Sequence, residues 1–282
     1  MAMHAFPPSC RAMQHLPAIS FIGGGNMATA MLTGLAALSP RPRLTVAEPM
    51  AEKRAALAAL GAEVVVDNEV AVAAGRLIVL AIKPQMAATV VPGLAAAWAT
   101  DKVLVSILAG ATTAKLAAWL PPGARIIRAM PNTPLAIGLG MVGLCRGAHA
   151  SAEDLDLAEA LFAPSGKVLR LADESRMDAI TAVSGSGPAY IFRTAEALVS
   201  AASARGFTRA EAELLVGQTL AGSVAYLMQQ GVGQAGALRQ AVTSPGGTTA
   251  AALAVLEKAD FTGLWSAALA AAEERGRELG RG

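Results

Sequence analysis

The sequence predicts an α/β fold in which a doubly wound parallel sheet precedes an all-helical C-terminal part. Between residues 18 and 172, short apolar, β-branched runs alternate with alanine-rich helical segments, as in parallel sheets covered on both faces by helices. From residue 173 to residue 282 the strand pattern is absent, and glycines punctuate a series of helical segments. Residues 1–17 contain Pro7-Pro8 and no apolar core of a signal peptide, so we expect a disordered tail there.

Continuous apolar runs predict the strands, and helical spacing between glycines predicts the later helices. The expected strands are 18–23, 43–47, 63–66, 77–82, 103–107, 125–129, 142–145 and 168–171. The expected helices of the second part are 174–183, 188–205, 209–230, 235–242, 248–257 and 261–279. The chain is long enough for two domains, each with its own core.

The composition excludes several classes of function. Because 23 basic residues are balanced by 21 acidic ones, with no basic cluster, we expect no nucleic-acid partner. Cys10 and Cys145 are too few for a zinc site or a disulfide framework, which favours a reducing, cytoplasmic setting.

The longest uncharged stretch, residues 214–238, is long enough to span a bilayer. It contains four glutamines and five glycines and lacks an aromatic belt or a flanking basic cluster. We therefore expect no membrane span, and a helix buried in a packed or subunit-shared core.

Residues 21–28, Phe-Ile-Gly-Gly-Gly-Asn-Met-Ala, close the first strand and open the first helix. Gly23 permits a tight turn, and Gly25 lets the backbone approach a pyrophosphate. With Asn26 and Met27 at the helix start, this segment predicts a cofactor site in a Rossmann-like, dinucleotide-binding domain. The alternative is a merely tight turn.

Glu48 follows the second strand, where an acidic side chain can accept a hydrogen bond from the adenosine ribose. A carboxylate there favours NAD over NADP because it repels a 2′-phosphate. Lys53 and Arg54 in the next helix can act in the opposite direction, and Glu48 can instead be an exposed helix-capping acid. The preference between NADPH and NADH stays open.

Two further strand ends carry polar residues at the edge where such sheets bind ligands. Lys83, followed by Pro84, is placed to meet a phosphate or ribose hydroxyl, or is a solvated lysine. Asn132 and Thr133 lie between two prolines and either orient a nicotinamide amide or satisfy the backbone of the turn.

The segment 242–249, Val-Thr-Ser-Pro-Gly-Gly-Thr-Thr, precedes an alanine-rich helical segment. A helix start offers unpaired amides and partial positive charge, glycines let an anion approach, and hydroxyls can cap the helix or bind a ligand. The segment predicts either a well-capped helix or a pocket for a carboxylate or phosphate beside a proton donor.

Few groups are suited to acid–base catalysis. His4 and His15 lie in the tail, His149 lies in a surface-like turn, and Lys258 is the only lysine after Lys167. A hydride-transfer enzyme acting on an alcohol normally needs such a group. A protonated imine does not, because it carries its proton already and needs mainly a hydrogen bond to nitrogen and an anchor for any carboxylate.

With these motifs in place, the chain resembles the pyrroline-5-carboxylate reductase family. The resemblance is carried in order by Phe-Ile-Gly-Gly-Gly-Asn-Met, Ala-Ile-Lys-Pro, Met-Pro-Asn-Thr-Pro, Ala-Val-Ser-Gly-Ser-Gly-Pro-Ala-Tyr and Leu-Arg-Gln-Ala-Val-Thr-Ser-Pro-Gly-Gly-Thr-Thr, at residues 21–27, 81–84, 130–134, 182–190 and 238–249. It implies reduction of the cyclic imine 1-pyrroline-5-carboxylate to L-proline, the final step of proline biosynthesis, with NADPH or NADH as hydride donor.

The resemblance also implies roles for individual residues. Thr249 is expected to hydrogen-bond the ring nitrogen as the catalytic residue, and the remaining substrate contacts are Val242, Ser244, Gly246, Gly247 and Thr248. The expected cofactor contacts include Asn68, Ala81, Lys83, Leu108 and Ala109. The C-terminal domain is expected to bind substrate and to interlock with a second subunit in a homodimer, with decamers formed by many members.

Two features depart from the family pattern. Gln234-Ala235-Gly236 stands where many members have His-Pro-Gly, so any role of that histidine is absent here, and Glu48 fits poorly with the common use of NADPH. Two other functions stay open at this point: a reductase of another cyclic imine or keto acid, and a protein that binds the dinucleotide without turnover.

Overall fold

The computed structural model describes residues 16–281, without the side chain of residue 281, and most of the expected tail at 1–17 therefore lies outside the described residues. Eight strands form one sheet in the order β3-β2-β1-β4-β5-β6-β7-β8. They are β1 (Ile19–Ile22), β2 (Leu44–Ala47), β3 (Glu63–Val65), β4 (Leu77–Leu80), β5 (Val103–Ser106), β6 (Arg125–Pro131), β7 (Gly140–Arg146) and β8 (Gly166–Leu171). All eight predicted strands are present.

The sheet is mostly but not wholly parallel. Strands β1 to β6 pair in parallel, β7 pairs antiparallel to β6, and β8 pairs parallel to β7. The segment between β6 and β7 contains only a 3-10 turn, Thr133–Ile137. Because a parallel crossover needs a dozen or more residues, this connection reverses the chain direction.

Helices cover both faces of the sheet, and the described chain after β8 contains helices and no strands. In chain order they are α1 (Asn26–Ala36), α2 (Ala51–Ala59), α3 (Asn68–Ala74), α4 (Ala87–Val90), α5 (Thr113–Ala117), α6 (Ala152–Phe162), α7 (Met177–Ile180), α8 (Gly187–Ser203), α9 (Arg209–Gln230), α10 (Ala235–Ala241), α11 (Thr248–Lys258) and α12 (Phe261–Arg281). The single helix expected at 174–183 is instead a 3-10 turn, the short α7 and a π-helical turn, Thr181–Gly185.

The central strands are buried along their whole length, as their continuous apolar runs predict. On one face Phe21 packs with Leu32 and Phe162, and on the other Ile78 and Leu104 belong to a second buried cluster. Strand residues alternate between these two layers because successive side chains point to opposite faces. The sheet is therefore held from both sides, and its strand ends provide rigid positions for loops.

The described chain forms two compact units, one of residues 16–186 with 272–281 and one of residues 187–271. This division differs from the expected boundary at 172–173, since the segment after β8 packs with the sheet. The contact depends on Arg128 of β6, which is 3% exposed and forms ion pairs with Glu174 at 3.1 Å and Asp178 at 3.2 Å.

The second unit buries few side chains by itself. In α8, α10 and α11 no described residue is buried, and α9 buries only Ala212 and Val216. Phe192, Leu214 and Val255 remain 61%, 73% and 69% exposed. None of the helices within residues 16–281 is long and apolar enough to cross a membrane. Such exposed apolar side chains are typical of a surface that contacts another protein.

We expect Arg128→Ala to destabilise the protein by about 3–5 kcal/mol, because it leaves two partly buried carboxylates without their counter-charge. The free energy of urea unfolding, followed by circular dichroism at one fixed protein concentration, measures this effect. Arg170→Ala is the control, since Arg170 is 45% exposed in its pairs with Asp156 and Glu159, and its loss should cost less than about 1 kcal/mol. Equal losses in the two variants would contradict the role assigned to Arg128.

Candidate functional site

The first glycine of the 21–28 segment adopts a conformation that other residues rarely reach. Gly23 has a φ of +97°, and a Cβ atom there would lie 2.7 Å from the carbonyl oxygen of Ala81. Its amide donates to the carbonyl of Ala47 at 2.9 Å. The turn is thus wedged between the ends of β2 and β4, and no side chain fits at this position.

Helix α1 begins with its amides free of any side-chain cap. Its N-cap residue is Gly25, and a Cβ atom on Gly25 would meet nothing within 4 Å. Asn26 is exposed and Met27 half-buried in the first turn. An uncapped helix start facing open space, with its partial positive charge, fits the pyrophosphate of a dinucleotide.

Glu48 is buried rather than exposed, which corrects the alternative reading of it as an exposed capping acid. It is 4% exposed; its Oε2 accepts from the Gly24 amide at 3.0 Å and its Oε1 from the Met50 amide at 2.9 Å. These two bonds hold the glycine turn against the β2–α2 loop. Each carboxylate oxygen retains a further lone pair, so the ribose contact stays a prediction.

The remaining predicted cofactor residues follow β3, β4 and β5, whose carboxyl ends share one edge of the sheet. Their positions, in chain order, are Asn68 at the start of α3, the half-buried Ala81, the exposed Lys83 and Pro84, the buried Leu108 and the half-buried Ala109. Ligands bind at this edge in doubly wound sheets. The fold therefore brings these six residues to the same side of the sheet as the glycine turn.

The side chain of Asn132 is already engaged by the protein. Its Nδ2 donates to the carbonyl and the hydroxyl of Ser184, at 3.1 Å and 3.3 Å, and its Oδ1 accepts from the Met141 amide at 2.9 Å. These bonds favour the alternative reading, in which Asn132 satisfies backbone groups near its turn. Thr133 is exposed at the start of the 3-10 turn. Contact of either residue with nicotinamide stays a prediction.

Sequence reasoning missed the role of Ser184, which lies in the π-helical turn Thr181–Gly185. Such turns are rare and often occur at functional sites. A Cβ atom on Gly185 would lie 2.6 Å from the Met130 Cε, so the turn sits directly on the end of β6. The signal in the sequence was the Ser-Gly-Ser-Gly run at 184–187, which interrupts helical spacing.

In the second unit, the predicted helix start at residue 248 is present. Helix α11 begins at Thr248 with Gly247 as its N-cap residue and without a side-chain cap. Gly246 has a φ of +70°, and the Gly247 amide donates to the Ser244 carbonyl at 3.0 Å. This tight turn leaves the amides of the first turn of α11 without a side-chain acceptor.

Hydroxyl groups surround this uncapped start. Within residues 16–281 the hydroxyls of Ser244, Thr248 and Thr249 have no hydrogen-bond partner. Thr249 is half-buried, whereas Val242 at the beginning of the loop is 69% exposed. The loop therefore offers donors to a small anion and does not use them internally.

Other helices show what a purely structural start looks like in this protein. Helix α6 is closed by a reciprocal capping box between Ser151 and Asp154, and α9 by one between Thr208 and Glu211. Capping of this kind satisfies the orphan amides. A side-chain cap is absent at α1 and α11, as it is at α2, α3 and α10. Of these five helices, α1 and α11 are the two with glycine as the N-cap residue.

Among residues 16–281, His149 is the histidine and Cys145 the cysteine. His149 is exposed, as expected. Burial raises the pKa of the Cys145 thiol, and the carboxylates of Glu174 and Asp173 raise this pKa further. Cys145 therefore stays protonated near neutral pH and is a poor nucleophile.

The glycine turn, the uncapped start of α1 and the loops at the carboxyl edge of the sheet have the arrangement of a dinucleotide-binding site, and comparison with known proteins identifies the chain as an NAD(P)-dependent oxidoreductase. A family model described as NADP oxidoreductase, coenzyme F420-dependent, matches residues 18–110, and one described as pyrroline-5-carboxylate reductase dimerisation matches residues 174–279. The pyrroline-5-carboxylate reductase of Pseudomonas aeruginosa is 40% identical over 265 residues, covering 93% of this chain and 97% of that protein.

Solved structures give the same result. A pyrroline-5-carboxylate reductase from Coxiella burnetii superposes with a TM-score of 0.85 and 37% identity, covering 94% of this chain and 99% of that one. A Plasmodium falciparum pyrroline carboxylate reductase with NADP bound has a TM-score of 0.81 and 30% identity, covering 93% and 98%. The chain belongs to the pyrroline-5-carboxylate reductase family.

We expect Gly25→Ala to raise the dissociation constant for NAD(P)H about tenfold or more, equivalent to about 1.4 kcal/mol, with little loss of stability. The added methyl group enters open space that the pyrophosphate would use. Titration calorimetry and thermal unfolding measure the two effects.

Gly24→Ala is the matched comparison, because its Cβ atom would lie 2.4 Å from the Cδ1 of buried Leu57. Overpacking of this kind costs about 1–3 kcal/mol of stability. Unchanged dinucleotide affinity in Gly25→Ala would contradict the assignment of α1 to the pyrophosphate.

Proposed function

We propose that this protein reduces 1-pyrroline-5-carboxylate to L-proline with NADPH or NADH, as the final step of proline biosynthesis. The observation that carries the proposal is the glycine-led start of α11. It matches the most specific motif of the family, it has no side-chain cap, and the hydroxyls of Ser244, Thr248 and Thr249 are not used by the described part of the protein. A bound nicotinamide supplies the hydride that adds to the ring carbon of the C=N bond.

The α11 start has the chemistry that an imine carboxylate needs. The backbone amides of Thr248 and Thr249, with the Ser244 hydroxyl, bind the carboxylate through hydrogen bonds strengthened by the helix dipole, while Gly246 and Gly247 let the anion approach. The Thr249 hydroxyl binds the ring nitrogen, and Val242 lines the apolar side of the ring. The protonated imine accepts the hydride and becomes the secondary amine of proline, so the reaction balances without a proton from a histidine or lysine.

The same reasoning assigns the cofactor contacts. The pyrophosphate is held at the glycine turn, by Gly23, Gly25 and the amides of Asn26 and Met27. The rest of the dinucleotide is surrounded by the loops that begin at Asn68, Ala81 and Leu108. Support comes from their shared sheet edge and from the match to the family.

We further propose that Glu48 favours NADH within this site. Its carboxylate is fixed by two amides beside the glycine turn, so it cannot turn away from a 2′-phosphate. It can accept from a free 2′-hydroxyl. The NADP bound to the Plasmodium falciparum relative shows that members of the fold hold the phosphorylated form, so we expect NADPH to be used with lower efficiency here.

Self-association fits the second unit, which carries the family's dimerisation region and buries few of its own side chains. We propose a homodimer, with assembly of dimers into decamers as the finer possibility to be measured by light scattering. A cytoplasmic location is proposed because the chain has two cysteines and its buried Cys145 is unpaired.

Purified protein should oxidise NADH or NADPH when 1-pyrroline-5-carboxylate is added. A six-membered cyclic imine and an open-chain keto acid are the comparison substrates. Preference for either of these would overturn the assigned substrate, and cofactor binding without turnover would indicate a dinucleotide-binding protein.

We expect Thr249→Val to lower kcat with 1-pyrroline-5-carboxylate at least about tenfold, within the limit of about 10²–10³-fold set by loss of an oxyanion-hole donor. The substitution removes the hydroxyl and keeps the shape, so the affinity for NAD(P)H should not change. Steady-state kinetics and cofactor titration measure both quantities. Thr262→Val, at an exposed position of α12, is the control and should keep normal turnover. Unchanged turnover in Thr249→Val would contradict the proposed hydrogen bond between Thr249 and the ring nitrogen.

We expect Glu48→Gln to raise the ratio of kcat/KM for NADPH to kcat/KM for NADH about tenfold, which corresponds to about 1.4 kcal/mol. The substitution removes a fixed charge that opposes the 2′-phosphate and weakens the acceptor for a 2′-hydroxyl. Glu52→Gln removes the same charge from an exposed position in the first turn of α2, and should leave the ratio nearly constant. The idea fails if both variants shift it equally.

A further inference from the structure

The loop that follows β5 is in backbone contact with the last turn of α12. Gly110, within this loop, is buried with a φ of +75°, and a Cβ atom there would lie 3.1 Å from the Gly280 nitrogen and the Leu279 carbonyl carbon. Conversely, a Cβ atom on Gly280 would lie 2.9 Å from the Gly110 carbonyl oxygen. Neither position has room for a side chain.

A second glycine on the same face of α12 makes a similar contact. Gly276 precedes Gly280 by four residues, so both face the same side of the helix. Gly276 is buried, and its Cβ atom would lie 3.3 Å from the Cβ of Asp178. Asp178 is itself fixed by its ion pair with Arg128 of β6. The end of α12 therefore packs closely against two positions near the sheet, Gly110 and Asp178.

The contacted loop is part of the assigned cofactor site. Leu108 and Ala109 directly precede Gly110, and the loop leaves β5 at the same edge of the sheet as the glycine turn after β1. A binding loop works only when its backbone is held within about 0.5 Å of the productive geometry. The Gly110 contact supplies a backbone support on the side of the loop that faces α12.

From these contacts we propose that Gly280 is a positioning residue for the cofactor: the last turn of α12 sets the backbone of residues 108–110 and thereby the affinity for NAD(P)H. The proposal rests on the proposed function only for the identity of the ligand. The matched dimerisation region runs to residue 279, directly before Gly280. The proposal therefore also implies that the end of this region supports the cofactor site.

The decisive variant is Gly280→Ala, which forces a methyl group against the Gly110 carbonyl. We expect the dissociation constant and KM for NAD(P)H to rise about fivefold or more, while kcat and the KM for the imine stay within about twofold. A purely structural role would not give this split. In the absence of a positioning role, the replacement of a helical glycine by alanine would raise stability and leave cofactor affinity unchanged.

Gly93→Ala is the matched control, because Gly93 lies in an exposed 3-10 helical turn and a Cβ atom there would meet nothing within 4 Å. It should bind NAD(P)H normally. Size-exclusion chromatography checks that the oligomeric state of each variant is that of the unmodified protein.

A chain that ends at Leu279 provides the second test, since it removes Gly280 and its contact with the Gly110 carbonyl without adding a methyl group. It should also bind NAD(P)H more weakly, and it decides the question if Gly280→Ala does not fold. Normal cofactor affinity in the folded variants would overturn the proposal. Cofactor titration needs no imine, so failure of the protein to reduce 1-pyrroline-5-carboxylate would overturn the proposed function alone.

Discussion

The amides at the start of a helix need hydrogen-bond acceptors, and the proposed site depends on two glycine-led helix starts that have no side-chain cap. Capping boxes close α6 and α9, whereas α1 and α11 begin at Gly25 and Gly247 without a side-chain cap. The first of these starts suits a pyrophosphate and the second a carboxylate, the two anionic groups that the proposed reaction brings together. Under the proposed function, both anions would be met by backbone dipoles and hydroxyls, with little demand for lysine or arginine. This arrangement suits a chain that is poor in lysine in its second half.

Buried polar side chains in the sheet-containing unit hold the segment that follows β8. Arg128 binds Glu174 and Asp178, and Asn132 binds Ser184 at the π-helical turn. A buried ion pair gives weak net stability but is costly to break, because its members lose their partners in a medium of low dielectric constant. These contacts specify the conformation of residues 173–186. Asn132 of the Met-Pro-Asn-Thr-Pro motif therefore has a structural role in holding this segment.

The fold was largely predictable because its signals are local. Continuous apolar runs mark the strands, and the glycines at 23–25 mark the first turn. The reversal of β7 was not predictable from apolar periodicity, which does not encode strand direction, and it follows from the short connection at Thr133–Ile137. The segment expected to be helical at 174–183 is helical, but its hydrogen-bond pattern changes from 3-10 to α to π. Apolar periodicity does not show these changes, or the long-range contacts of the segment with Arg128 and Asn132. The partners of Glu48 were hidden for the same reason: the Gly24 amide lies 24 residues away in sequence.

The two hydrogen bonds of Glu48 have an evolutionary consequence. In a site where the acidic residue touches only the ribose, cofactor preference can drift through a single exchange. Here the same carboxylate is the acceptor for the amides of Gly24 and Met50, so most replacements leave buried donors unsatisfied, at a cost of about 1–3 kcal/mol each. Under the proposed role of Glu48, selection for stability would therefore also act against a change of cofactor preference.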